Sequence, residues 1–115
     1  MLSFRYRFHG HGSLQYVYSR GQAERSRLFT VKVTRNPRRK QPRFAIVVSK
    51  KVHKSAVGRN RIRRRLYEII RHQLPRMTAV YDVAVIVSSS EVITMPADEL
   101  EKQFTTVLTQ AGLYD

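Results

Sequence analysis

The chain has 115 residues, enough for one domain with a sizeable core but not for two. Its composition, 42% hydrophobic and 10% aromatic, is typical of a globular protein and excludes a disordered basic tail. Residues 1–81 carry 21 Lys or Arg against two acids, whereas residues 82–115 carry one Lys against six acids, so the folded protein should bear a strongly basic surface that attracts a polyanion such as nucleic acid.

The absence of cysteine excludes a disulfide framework and Cys-ligated zinc, and it fits a reducing compartment. The longest apolar runs, FAIVV (44–48) and VAVIV (83–87), are too short to cross a bilayer. Residues 1–12 contain no apolar stretch of signal-peptide length. We therefore expect a soluble cytoplasmic protein with no membrane partner.

The first half of the chain predicts one helix and two strands. Residues 13–20 (SLQYVYSR) show the apolar spacing of a short amphipathic helix. Residues 28–34 (LFTVKVT) alternate as a half-buried strand, with Phe29 expected in the core, and residues 44–49 (FAIVVS) predict a more fully buried strand. The Pro-punctuated basic segment between the two strands suggests a hairpin.

The second half predicts helix, strand, helix. Residues 56–74 place Ile62, Leu66, Ile69 and Ile70 on one side of a helix that Pro75 ends. Residues 81–88 (YDVAVIVS) predict a buried strand, and residues 95–113 predict a helix that stops at Gly112. The whole chain, 1–115, then forms one α/β sandwich in which the strands flanking the 56–74 helix pair in parallel.

The 56–74 helix begins with GRNRIRRR (58–65), in which five of eight residues are arginine. Arginine forks bind phosphate in a bidentate manner and stack on bases, so this face is a candidate RNA-binding ridge. In helical projection the polar side consists of two neighbouring rows, Asn60, Arg64, Tyr67 and Arg71, and Arg61, Arg65, Glu68 and His72. Lys50, Lys51 and Lys54 lie at its N-terminal end.

Asn60 offers an amide for a base edge or a sugar or phosphate oxygen, and Tyr67 offers a ring for stacking. The alternative is a merely solvated helix face. Residues 50–76 contain ten Lys or Arg and one acid, so pairs within the helix cannot neutralise it.

The sequence offers no catalytic constellation of its own. Its four histidines have no metal-site spacing with carboxylates, and the acids cluster in the last third, away from the arginines. We predict no catalytic residue and no metal ligand in the protein.

SKK (49–51) followed by AVGRNRIRR (56–64) closely resembles the signature of the protein subunit of bacterial ribonuclease P. The likeness extends to LQYVYSRG (14–21), RLFTV (27–31) and LEKQFTTVLTQAGL (100–113). It implies a two-layer α/β (α+β) sandwich with a small mixed sheet, similar to the second domain of ribosomal protein S5. It also implies a left-handed βαβ crossover through the 56–74 helix, where the general rule favours a right-handed one.

The resemblance also implies a mechanism. In the family, the catalytic RNA subunit removes the 5′ leader of precursor tRNA with Mg²⁺ that is bound mainly by the RNA. The protein binds that RNA and the leader, and no protein partner is required. By position, Lys50, Lys51, Arg59, Asn60, Arg61 and Arg64 match the RNA-contacting motif.

A cleft between the N-terminal helix and the sheet binds the leader in the family, which implies a leader site of Leu14, Tyr18, Thr30, Lys32 and Val47. Tyr67 stands where the family often has arginine, with Arg65 as a substitute. Leu14 and Lys32 stand where aromatic residues are common.

Two alternatives remain open from the residues alone. A structural RNA-binding protein of the ribosomal type would use the same basic helix without any effect on precursor tRNA cleavage. A DNA-binding module would lay the helix in a major groove, although no short partner helix precedes it as in a helix-turn-helix.

Overall fold

The structure, a computed structural model, describes residues 7, 17, 21–35, 42–77 and 80–113. Four strands form the sheet: β1 (Gln22–Arg25), β2 (Phe29–Arg35), β3 (Arg43–Val47) and β4 (Tyr81–Val87). The two helices are α1 (Ala56–Gln73) and α2 (Ala97–Gln110), and short 3₁₀ turns at Leu74–Arg76 and Ser90–Ile93 follow α1 and β4. Within the described residues, no helix is both long and apolar enough to cross a membrane.

The strand order is β1-β2-β4-β3, with antiparallel pairs at β1–β2 and β2–β4 and a parallel pair at β3–β4. The predicted parallel pairing of the strands that flank α1 is confirmed. The predicted hairpin of β2 and β3 is wrong, because β4 lies between them. β4 suits the centre because residues 82–85 are buried on both faces of the sheet, whereas β2 alternates between buried and half-buried side chains.

The sequence does not predict β1. Three of its four residues, QAER, are polar and most of them are exposed, so the segment has no apolar alternation that would predict a strand. It pairs with β2 along one edge of the sheet, from Gln22 opposite Val33 to Arg25 opposite Thr30.

One face of the sheet carries the main core, and both helices pack against it. Phe29 is fully buried, as expected, and its ring lies 5.1 Å from that of Phe104 in α2. The α1 side chains in this core are Ile62, Leu66 and Ile70, each 0% exposed. Ile69 is half-buried at its margin.

The opposite face of the sheet carries a smaller cluster. Val17, which is helical, is fully buried there with Ala84 and packs near Ala45. The remainder of the helix predicted at 13–20, including Leu14 and Tyr18, lies outside the described residues.

The ends of the helices follow local rules. α1 ends at Gln73 with Pro75 in the following turn, as predicted. At the end of α2, Gly112 has a φ of 87°, its N–H bonds to the Thr109 carbonyl, and the Leu113 N–H bonds to the Leu108 carbonyl. This is a Schellman motif, which requires the left-handed conformation that glycine adopts without strain, so the predicted stop at Gly112 is confirmed.

Candidate nucleic-acid interface

The charged side of α1 and the segment before it form a continuous basic surface. Its exposed cations include Lys50, Lys51, Lys54, Arg61 and Arg64. None of these five side chains makes a hydrogen bond or ion pair within the described part of the chain. Their charges are therefore available to an external anion.

Arg59 lies at the start of this surface but is held by the protein itself. One of its terminal nitrogens donates to the backbone carbonyls of His53 (3.0 Å) and Lys54 (2.9 Å). The guanidinium thus connects α1 to the segment that carries the three lysines. Its remaining N–H groups are still able to bind phosphate.

The same segment is fixed by two further contacts. The Ser55 hydroxyl accepts from the Gly58 N–H at 3.2 Å, which caps α1, and the Ser55 N–H donates to Nδ1 of His53 at 3.2 Å. A Cβ at position 58 would overlap the His53 ring, so a larger residue there would displace this ring from its contact with Ser55. The lysines are consequently displayed from a braced turn.

Arg65 is half-buried and donates to the carbonyls of Val92 and Met95. It therefore links α1 to the Ser90–Ile93 turn and to the segment just before α2, and two of its donors are already in use.

Arg71 also has a partner within the protein. Its Nε donates to Glu68 at 2.8 Å, and this hydrogen bond holds the pKa of Glu68 below its usual value.

Tyr67 is only 8% exposed, so the predicted surface row of Asn60, Arg64, Tyr67 and Arg71 is wrong at this residue. Its hydroxyl accepts from the Ile46 N–H at 3.4 Å, and burial raises its pKa. The tyrosine belongs to the edge of the core because its side chain lies on the side of α1 that faces β3. Free stacking of a base on both faces of its ring is thereby excluded.

A groove of about 600 Å³ lies along the first half of α1. Its described lining is Arg7, Val57, Asn60, Arg63, Arg64 and Tyr67. The backbone of Arg7 forms a parallel bridge with Phe44, which belongs to β3. The guanidinium of Arg7 lies 5.7 Å from the centre of the Tyr67 ring. Arg63 donates to Oδ1 of Asn60 at 2.7 Å.

Sequence reasoning missed Arg7, Val57 and Arg63. Arg63 could have been found, because it lies three residues after Asn60 and hence on the same side of the helix. Arg7 could not have been found from the sequence, because its place beside α1 depends on its long-range backbone pairing with Phe44.

Thr30, Lys32 and Val47, the described members of the predicted leader site, lie on the face of the sheet that Val17 partly covers. Thr30 and Val47 are the neighbours of Ile86 on either side, and Lys32 is opposite Ala84 in the next row. The structure thus brings these three residues together. Arg25, on the unpredicted β1, pairs with Thr30 and adds a cation to the same face.

At one end of this face, Arg43 donates to both oxygens of Asp82, at 2.9 and 2.8 Å. Their side chains are 13% and 10% exposed. This pair fastens β3 to β4, so Asp82 is already paired with a cation. Among the described residues, no group of three or more His, Asp or Glu could hold a metal ion.

These features define the class as a small basic α/β protein with an arginine-rich helix on one side of a mixed sheet. The family model for Ribonuclease P matches residues 2–112. The chain therefore belongs to the ribonuclease P protein family, and the predicted membership is confirmed.

Two relatives agree with this family membership. The ribonuclease P protein component of Chloroflexus aurantiacus is 45% identical over 76 residues, which cover 66% of this chain and 56% of the relative. The chain thus spans little more than half the length of that relative. The ribonuclease P protein component of Synechococcus sp. is 32% identical over 125 aligned positions, covering 100% of this chain and 98% of the relative.

Solved structures show the same fold. The RNase P protein of Staphylococcus aureus superposes with a TM-score of 0.85 at 26% identity, covering 96% of this chain and 98% of that one. The RNase P protein of Thermotoga maritima, at 21% identity, has a TM-score of 0.82 and covers 90% of this chain and 96% of that one. The predicted small α/β fold of the family is confirmed.

Proposed function

We propose that this protein acts as the protein component of ribonuclease P. It binds the catalytic RNA subunit through the basic surface of α1 and binds the 5′ leader of precursor tRNA on the opposite face of the sheet. In this way it assists the Mg²⁺-dependent endonucleolytic step that produces the mature 5′ end of the tRNA.

The observation that carries the proposal is the uncompensated charge of the α1 surface. Lys50, Lys51, Lys54, Arg61 and Arg64 are exposed. They are unpaired within the described residues and are carried by a helix that is anchored in the core. Such a surface binds a phosphate backbone by releasing its counterions, and binding of this kind weakens steeply as salt increases.

Leader binding rests on the sheet face. Thr30, Lys32 and Val47 lie side by side there, with Arg25 beside Thr30. An extended single strand suits a shallow surface that combines cations with apolar and hydroxyl groups. The predicted leader site also includes Leu14 and Tyr18, which lie outside the described residues.

The chemistry belongs to the RNA in this proposal. The described residues do not fit a resident metal site, since their acids are paired or dispersed. The proposal assigns magnesium mainly to the RNA subunit. It also assigns the site of action to the cytoplasm and requires no protein partner.

The test is cleavage of a precursor tRNA bearing a 5′ leader by the cognate ribonuclease P RNA at low Mg²⁺, with and without the protein. We expect stimulation by the protein and no cleavage by the protein alone. Tight RNA binding without stimulation would overturn the proposal and favour a structural RNA-binding protein of the ribosomal type.

A further inference from the structure

The groove beside α1 differs chemically from the exposed ridge. Three arginines line it, Arg7, Arg63 and Arg64, and none of its six described lining residues is acidic. Its volume of about 600 Å³ lies within the range of about 300–1,000 Å³ that small organic ligands occupy. A simple phosphate-tracking surface would need no such concavity.

The polar groups of the groove are partly arranged in advance. Arg63 is held by Oδ1 of Asn60, which leaves the amide N–H₂ of Asn60 to donate. The Nε atom of Arg7 is buried and makes no hydrogen bond within the described part of the chain. A guanidinium held in the way that Asn60 holds Arg63 suits the planar, bidentate recognition of a phosphate.

The groove also has an apolar side. Val57 stands on its rim and is 74% exposed, which makes it the one exposed large hydrophobic side chain among the described residues. The Tyr67 ring, capped by the Arg7 guanidinium, contributes to the same lining. A nucleobase has an apolar face and polar edges, and both find a counterpart here.

We propose that this groove binds one unpaired nucleotide of RNA, with the base against Val57 and an arginine plane and the phosphate held by Arg63 and Arg64. The inference rests on the proposed function and specifies how the α1 surface would recognise RNA: by one nucleotide set outside a helix as well as by the charge of a backbone. The proposed source is the catalytic RNA, because the proposed leader site lies on the opposite face of the sheet.

Val57 provides the test, because its exposed side chain adds nothing to the core. Val57→Ser removes the apolar rim without changing the charge, and Val57→Ile retains it as the matched control. The measurements are equilibrium binding of the cognate RNA subunit across a series of KCl concentrations, and binding of precursor and mature tRNA by the reconstituted holoenzyme. Thermal melting checks that both variants fold.

We expect Val57→Ser to weaken binding of the RNA subunit roughly five- to tenfold, because the base no longer packs against an apolar side chain, with an unchanged salt slope. Val57→Ile should bind like the parent protein. Arg63→Ala, in contrast, should lower the salt slope by roughly 0.7 to 0.9, because one phosphate is no longer neutralised. Weaker binding of the RNA subunit would assign the nucleotide to the catalytic RNA, and a loss confined to precursor over mature tRNA would overturn this source and assign the nucleotide to the leader.

Parent-like binding by Val57→Ser in all assays would overturn the groove proposal. If the parent protein still stimulated cleavage, the proposed function would stand without it. Failure of the parent protein to stimulate cleavage would instead overturn the proposed function, so the two failures are distinguishable.

Discussion

Four of the six arginines of α1 form two groups that cannot be told apart from the sequence. Arg59 donates to backbone carbonyls of the segment before the helix, and Arg65 donates to backbone carbonyls of the segment that follows β4, so both arginines brace the fold. Arg61 and Arg64 are exposed and unpaired within the described residues. A run of like charges thus combines positions that stabilise the fold with positions that remain available to a partner. Substitutions can distinguish these two roles by their effects on stability and on RNA binding.

The largest effect on stability should come from the apolar side of α1, which packs in the core and positions both groups of arginines. Ile70 is fully buried, so Ile70→Asp would place an unpaired charge in the core and cost about 3–5 kcal/mol or more of stability. We expect a largely unfolded protein by circular dichroism and chemical denaturation. Arg61→Asp, on the exposed side, is the matched control and should change the stability by less than about 0.5 kcal/mol. A normally melting Ile70→Asp variant would contradict the register of α1.

Loss of the exposed pair should affect RNA binding and little else. The double variant Arg61→Ala, Arg64→Ala should weaken binding of the RNA subunit by about tenfold for each phosphate interaction removed. Its log–log salt slope should fall by roughly 0.7 to 0.9 for each of these interactions. The melting temperature should stay that of the parent protein. Unchanged affinity and slope would remove this pair from the interface.

Arg65→Ala should produce the opposite pattern. Its loss leaves the Val92 and Met95 carbonyls without this donor and should cost about 1–3 kcal/mol. Chemical denaturation measures this cost, and RNA titrations of the folded variant should keep the parent salt slope. A fall in slope with unchanged stability would move Arg65 to the exposed group, where its spacing in the sequence places it.

Arg59→Ala tests the brace of the lysine segment. We expect faster amide hydrogen exchange in residues 50–55 of the free protein, because the carbonyls of His53 and Lys54 lose their donor. Arg61→Ala is the control and should leave this exchange unchanged. If exchange is unaffected in both variants while Arg59→Ala weakens RNA binding, then Arg59 acts as a phosphate ligand and not as a brace.

The sequence predicts those features that depend on local periodicity and on spacing. The bounds of α1, the parallel pairing around it and the stop at Gly112 follow from apolar spacing, chain connectivity and glycine chemistry. The polar β1 and the insertion of β4 between β2 and β3 depend on long-range pairing that no local pattern encodes.

The sequence also does not predict which side chains at the margin of α1 are buried. The helical projection assigns Tyr67 to the exposed row because it lies at a polar angle, yet β3 covers it through the Ile46 N–H contact. The same projection groups Arg65 with the free cations because its carbonyl partners lie about 30 residues away in sequence. A helical projection places side chains on one helix but does not show which neighbouring elements cover them.

Arg71 belongs to neither group and should give the smallest effect. Its charge is paired with Glu68, and both side chains are nearly half exposed, at 47% and 44%. Glu68→Gln removes the pairing and should strengthen RNA binding about twofold with a slightly steeper salt slope, as expected when one more surface cation can bind a phosphate weakly. Arg71→Gln in the same background should abolish this increase in affinity, and an increase that persisted would assign the effect to net charge alone.

The pH dependence of stability provides an independent check on the same pair. Because Arg71 holds the pKa of Glu68 below its ordinary value of 4.5, the pair stabilises the fold above about that pH. This contribution should disappear as the pH falls through the lowered pKa of the folded state. Stability profiles of the parent and Glu68→Gln should therefore differ in shape only in the acidic range, and identical profiles there would show that the hydrogen bond does not persist in solution.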